Sequence, residues 1–228
     1  MVTLKIDNNR YTIAGNPTIE QWQEVMKWDF ESHVHWPYII RAVTDLEFNT
    51  IREMNSEQQR LAVTMIAHSI SERSQVELPD FEAITFGQFV DLEYLLAHGT
   101  EKALKQMLEK LNAKYDRAQE ALYVIENYIK WRTNIFKRYT ALFGLDDVED
   151  LEDGLETRKA LTPVKVASDW YRVIVELAND DVLKIKEITE LGVKETLNFM
   201  AVRKEKQLAE LNRLKQQKRQ YDLQKPRR

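Results

Sequence analysis

Helix breakers are rare in this chain, and that rarity limits its architecture more than any other feature. Only six glycines and five prolines occur among 228 residues, against abundant Glu, Lys, Leu, Gln and Ala. Straight-chain residues lose little rotamer freedom in a helix, so the composition points to a mainly α fold. The hydrophobic fraction of 43% is that of an ordinary globular protein. A chain of this length can bury a core without a disulfide or a metal to staple it. It holds no cysteine, which removes disulfide scaffolds, thiolate metal sites, iron–sulfur clusters and cysteine nucleophiles together.

Hydrophobic periodicity then places the elements. Val2, Leu4 and Ile6 alternate with polar neighbours, and Tyr11 and Ile13 resume the pattern after Asn8-Asn9. Two alternating runs around an Asn pair predict a short N-terminal β-hairpin, expected to lean on the helices that follow. Capping-box spacings occur at Thr18/Gln21, Ser56/Gln59 and Thr85/Gln88. They predict helices through Trp22–Phe30, Leu61–Ile70 and Phe86–Leu96, with Leu61, Met65, Ala67 and Ile70 as the inner face of the second. Pro37 predicts a further helix start, with Ile39, Ile40, Val43 and Leu46 inward. His98-Gly99 ends the Phe86 helix, since glycine accepts the left-handed C-terminal cap.

A short helix through Leu104, Met107, Leu108 and Leu111 precedes what the pattern makes the longest one, Tyr115–Phe143, stopped by Gly144. Its apolar stripe is Ala118, Leu122, Ile125, Ile129, Phe136 and Leu142. Residues 145–156 hold seven acids and no base, the pattern of a solvated loop or hinge. Thr162-Pro163 caps a helix ending near Asn179, Val182–Leu191 forms another, and a last helix runs from Val193 to about Tyr221.

The expected organisation is therefore a multi-helix globular bundle. It comprises a hairpin over 1–14 packed on the body, a main helical domain over 15–144, an acidic loop or hinge over 145–161, and a C-terminal helical region over 162–228. No window approaches the ~18 apolar residues of a membrane span, and the N-terminus lacks a signal-peptide pattern. Retention in the cytoplasm is expected.

The search for chemistry returns little. His33 and His35 lie two apart and face apart on a helix, with no third ligand beside them. His68 and His98 have no partner in the sequence that would make either a base. Glu-x-x-His, which a di-iron helical bundle needs, does not occur. Counting an EF-hand loop back from Gly154 puts Leu151 where a ligand belongs. Phosphate loops and nucleophile elbows are missing as well. No cofactor, metal or catalytic residue is expected, and the chain reads as a binding protein. The five tryptophans sit in or beside apolar stripes and read mostly as core.

The C-terminal helix is more informative. Residues 203–228 carry ten Lys/Arg against three Asp/Glu, a local +7 on a chain whose net charge is −4. Within it Leu208, Leu211 and Leu214 form a narrow stripe, extended backwards by Met200 and Leu197. Arg213, Lys215 and Lys218 lie around the stripe. A narrow apolar seam flanked by charge is what a helix presents to a partner helix, and these six residues are the expected protein-binding site. A solvated tail is the competing reading. Nucleic-acid binding or a regulatory role would use the same basic helix, but Glu205 and Glu210 interrupt the run and no aromatic platform accompanies it.

Three segments together resemble the tail-assembly chaperones and baseplate hub assembly proteins of contractile-tailed bacteriophages. They are Leu4–Ile13 leading into Pro17-Thr18-Ile19-Glu20-Gln21-Trp22, then Ile84–Glu93, and then Trp170-Tyr171 through Ile185 with Leu197-Asn198-Phe199 and the charged helix. The resemblance implies a non-enzymatic factor in the host cytoplasm that holds another tail component, the tape measure or a baseplate hub subunit, during morphogenesis. A permanent subunit of the baseplate or tail, carried in the virion, is the alternative, and a homo-oligomer fits either. The family has no metal or active-site motif to transfer.

Overall fold

The computed structural model describes residues 2–6, 9–13, 16–44, 46–99, 101–143 and 163–224. The expected acidic hinge at 145–161, the Thr162 cap and the Gly144 stop lie outside them. The fold is mainly helical, with eleven α-helices among the described residues. The chain divides into two compact units, Met1–Pro79 with Thr100–Tyr128 and Asp80–Gly99 with Ile129–Arg228. This differs from a single domain over 15–144. Residues 80–99 group with the C-terminal region because their partners lie there, through packing between distant segments that periodicity does not report.

In the first unit, β1 (Val2–Ile6) pairs antiparallel with β2 (Asn9–Ile13), Leu4 opposite Tyr11. The turn residues 7–8 and the strand side chains lie outside the described residues. Helix α1 (Ile19–Val25) starts at Thr18, whose hydroxyl accepts from the Gln21 N–H while the Gln21 side chain accepts from the Thr18 N–H. Helix α2 (Trp36–Val43) has Pro37 in its first turn and buries Ile39, Ile40 and Val43. These three join Val25, Ile51, Met54, Ala62, Val63 and Ile66 in one apolar core, with Leu46 packed against it.

Ile51 comes from α3 (Phe48–Glu53), a helix that periodicity does not reveal because six residues are too few to show a period. Helix α4 (Ser56–Ser71) begins one residue earlier than expected: Asn55 is the cap and Gln58 reaches back to it. Gln59 instead donates to the Ile51 and Met54 carbonyls. The buried face of α4 is Ala62, Val63, Ile66 and Ser69, and Leu61 points outward. Helix α6 (Glu101–Lys110) contributes Ala103, Met107 and Leu108 to the interior. Gln119 is buried and donates to the Ser69 carbonyl (2.6 Å) while accepting from the Ser74 hydroxyl (2.9 Å).

The expected helix 115–143 is two. Helix α7 (Ala118–Arg138) ends at Tyr139, and α8 (Thr140–Phe143) follows. The Tyr139 N–H is shared between the Ile135 and Phe136 carbonyls, the tightening that ends a helix. Ile129, expected inward, is exposed, and the buried positions are Ala121, Val124, Tyr128 and Ile135 with Ala118 and Ile125.

The second unit is built on α5 (Phe86–His98), again capped by the Thr85/Gln88 box and closed by Gly99 at φ +57°. Helix α9 (Pro163–Leu177) lies against it. Phe86 and Phe89 meet the Trp170 ring edge-on at 5.7 and 5.4 Å, and Phe89 also meets Trp131 and Phe136. Helix α10 (Val182–Glu190) packs so closely on α5 that a Cβ at Gly87 would lie 3.0 Å from Thr189 Cβ and 3.1 Å from its carbonyl oxygen. Glycine here permits approach. Helix α11 (Val193–Gln224), of 32 residues, is the longest among the described residues.

Candidate functional site

Helix α11 divides into a root and an arm. The root is held by backbone and side chains from all around it within its own unit. The Phe86 N–H donates to the Leu191 carbonyl (2.7 Å) and the Val193 N–H to the Ile84 carbonyl (3.4 Å), so α11 starts from the chain that opens α5. Val193, Thr196 and Leu197 are buried. The Tyr139 hydroxyl donates to Asn198 Oδ1 (2.7 Å). Arg203 donates to the Glu176 carbonyl (2.8 Å), and the Lys204 ammonium donates to the carbonyls of Ala141 and Leu142 at the end of α8.

Beyond Lys204 the support stops. Every residue from Glu205 to Gln220 is exposed, an arm of roughly 24 Å at 1.5 Å per residue. Leu208, Leu211 and Leu214 are 50%, 47% and 55% exposed. At roughly 100° per residue they continue the face that Val193 and Leu197 bury at the root. Lys215 and Lys218 fall on or beside that face. Arg213 does not: it lies roughly 160° around from Leu211, with Lys206 on the reverse side. Five of the six expected site residues are thus brought together and the sixth is set apart. Phe199 and Val202 are also exposed, on a different face from the leucines.

The sequence reading missed the root. Lys194, Asn198, Arg203 and Lys204 position the seam through partners dozens of residues away, and no local signal marks them. Lys194 Nζ pairs with Glu82 at 2.5 Å. The hydrogen bond from Lys194 holds the Glu82 carboxyl below its ordinary range; burial opposes this and the Trp131 indole N–H assists. The folded-state pKa is depressed, so the pair's contribution is present at neutral pH. It is lost as pH falls from the ordinary glutamate range through the lowered value. The protection factors of residues 193–198, exchange rates divided by their intrinsic values at each pH, are expected to fall modestly below about pH 4 because the pair is half exposed. Glu82→Gln is expected to remove that acid step.

Other candidate sites are poorer. His33 is exposed, and His35 closes its loop by accepting the Asp29 N–H (3.2 Å) on Nδ1. Among the described residues no group of three His, Cys, Asp or Glu could hold a metal. A cleft of about 370 Å³ lies between Tyr171, Arg172, Asp180 and Arg203, but Arg203 spans to Glu176 across it. Trp131 and Trp170 belong to the aromatic core; Trp36 donates to the Phe30 carbonyl (2.8 Å), and Trp28 stacks on Tyr38 at 4.6 Å. No helix among the described residues is long and apolar enough to cross a membrane. The chain matches no family model, no curated protein and no solved structure.

Proposed function

We propose that this chain is a non-enzymatic assembly factor of a contractile-tailed phage. Its α11 arm captures a helical segment of another tail component, the tape measure or a baseplate hub subunit, in the host cytoplasm. One observation carries the reading: a seam that is core at the root of α11 runs uncovered for the length of the arm. A solvated helix gains nothing from three leucines on one face, whereas a partner helix laid along them would bury apolar surface at ~25 cal/mol per Å². The resemblance in the three segments supplies the setting.

Replacing Leu208, Leu211 and Leu214 with serine is expected to abolish co-purification of the tail component from cells making both proteins. The melting temperature should stay within a degree or two, because exposed substitutions rarely exceed about 0.5 kcal/mol. Mass spectrometry separates the transient from the permanent role. Presence in infected-cell lysate and absence from purified particles supports a chaperone. Stoichiometric presence in particles makes it a baseplate or tail subunit.

A further inference from the structure

The spacing along α11 states more about the partner than that it is helical. From Val193 to Lys218 the inner-face positions advance by alternate steps of four and three residues, the repeat of a coiled-coil seam. One set of these positions reads Leu197, Lys204, Leu211, Lys218, so within that set lysine alternates with leucine. Lys204 is satisfied inside the molecule by the Ala141 and Leu142 carbonyls. Lys218 is exposed, and Lys215 flanks the same seam. In a pair of identical arms laid parallel and in register, the two Lys218 ammonium groups would oppose each other, and so would the two Gln207 side chains. Leu211 and Leu214 alone would supply apolar layers, fewer than the three or four heptads a stable coiled coil needs.

We infer that the seam selects a different chain. Its occupant is an amphipathic helix with apolar residues against Leu211 and Leu214 and the flanking Leu208, and carboxylates against Lys218 and the flanking Lys215. This rests on the seam reading above and narrows it. A carboxylate opposite Lys218 turns a buried like-charge clash into a charge-assisted hydrogen bond, which fixes both register and identity.

The test uses the full-length protein and two synthetic three-heptad helices. One carries leucines facing Leu211 and Leu214 and glutamates facing Lys215 and Lys218; the other has lysines in place of the glutamates. Fluorescence anisotropy should show the acidic peptide bound and the basic one at least about tenfold weaker. Lys218→Glu should reverse the order, and sedimentation should show the unmodified protein as a monomer. Equal binding of both peptides, or Lys218→Glu leaving the acidic peptide unaffected, would overturn the inference. So would a dimer that Leu211→Ser/Leu214→Ser dissolves, which would make a second copy the occupant. Displacement of the acidic peptide by single-stranded DNA, steeply weakened by salt, would make nucleic acid the occupant instead. If the serine variants lose both peptides while charge does not matter, the seam reading stands and only the acidic partner is lost. If the serine variants bind as before, the seam reading itself falls.

Discussion

Phe89→Ala is expected to destabilise the second unit by about 3–5 kcal/mol, measured as a shift in the denaturant midpoint at unchanged slope. Phe89 is fully buried, and its ring is the hub around which Phe86, Trp131, Phe136 and Trp170 are arranged at 5.4–6.4 Å. Three of those four contacts are edge-on, the arrangement in which the positive rim of one ring meets the negative face of another, worth ~0.5–1.5 kcal/mol beyond area alone. Truncation removes the transfer energy of the ring and leaves a cavity whose walls are large aromatics drawn from α5, α7 and α9. Such walls collapse poorly, so the upper half of the range is expected. Phe89→Leu, which fills most of the space, should cost clearly less. A loss below about 1 kcal/mol for the alanine variant would show that the rings do not pack as described.

Arg132→Met is expected to cost about 3 kcal/mol, for a different reason. Glu93 projects from α5 with 5% of its side chain exposed and accepts two hydrogen bonds from the Arg132 guanidinium, through Nε and Nη2. The guanidinium also lies 4.3 Å from the centroid of Phe136. Removing the arginine strands a buried carboxylate, and the cost is mainly that of the orphaned charge, ~3–5 kcal/mol for a fully buried pair. Arg132 keeps 29% of its side chain in solvent, so water can reach the vacated end and the lower end applies. Adding Glu93→Leu should restore most of the loss, since a well-packed apolar pair often matches a buried ion pair. A double-mutant cycle from denaturant melts would show this as a coupling energy above 1.5 kcal/mol. Additive losses would mean that the two groups do not meet.

What the sequence made legible was local. The boxes at Thr18 and Thr85 and the stop at Gly99 stand where spacing put them, because caps depend on residues three apart. The third box failed by one position. Asn55-x-x-Gln58 and Ser56-x-x-Gln59 offer the same chemistry, and the choice went to Asn55 because Gln59 is engaged with the carbonyls that end α3. The inner face of α4 is legible only in part: Met65 and Ile70 pack against the core as expected, but Leu61 is exposed, and two of the four buried residues, Ala62 and Ser69, carry little hydrophobic signal. Helix α3 escaped notice because tertiary burial of Ile51, not propensity, holds it.

The seam leucines are visible in the sequence as a stripe, but nearness in sequence does not put Arg213 on it: two residues from Leu211 is the far side of a helix. The root could not have been found at all: Tyr139 with Asn198 and Glu82 with Lys194 meet only once the chain has folded.

The interleaving of the two units bears on the order in which this protein can be made. Helix α5 leaves the ribosome long before α9, the helix that covers Phe86 and Phe89. At ~5–20 residues per second the delay is on the order of several seconds. Throughout that time two bare phenylalanines sit in the nascent chain between segments of the first unit, which itself cannot close until Tyr128 has emerged. No single cut separates the two units, and a truncation after Tyr128 would keep the whole first unit only together with residues 80–99, stripped of the partners that cover Phe86 and Phe89. The first part has every segment of its core once Tyr128 is made, whereas the second must wait until the chain is complete almost to the base of its last helix.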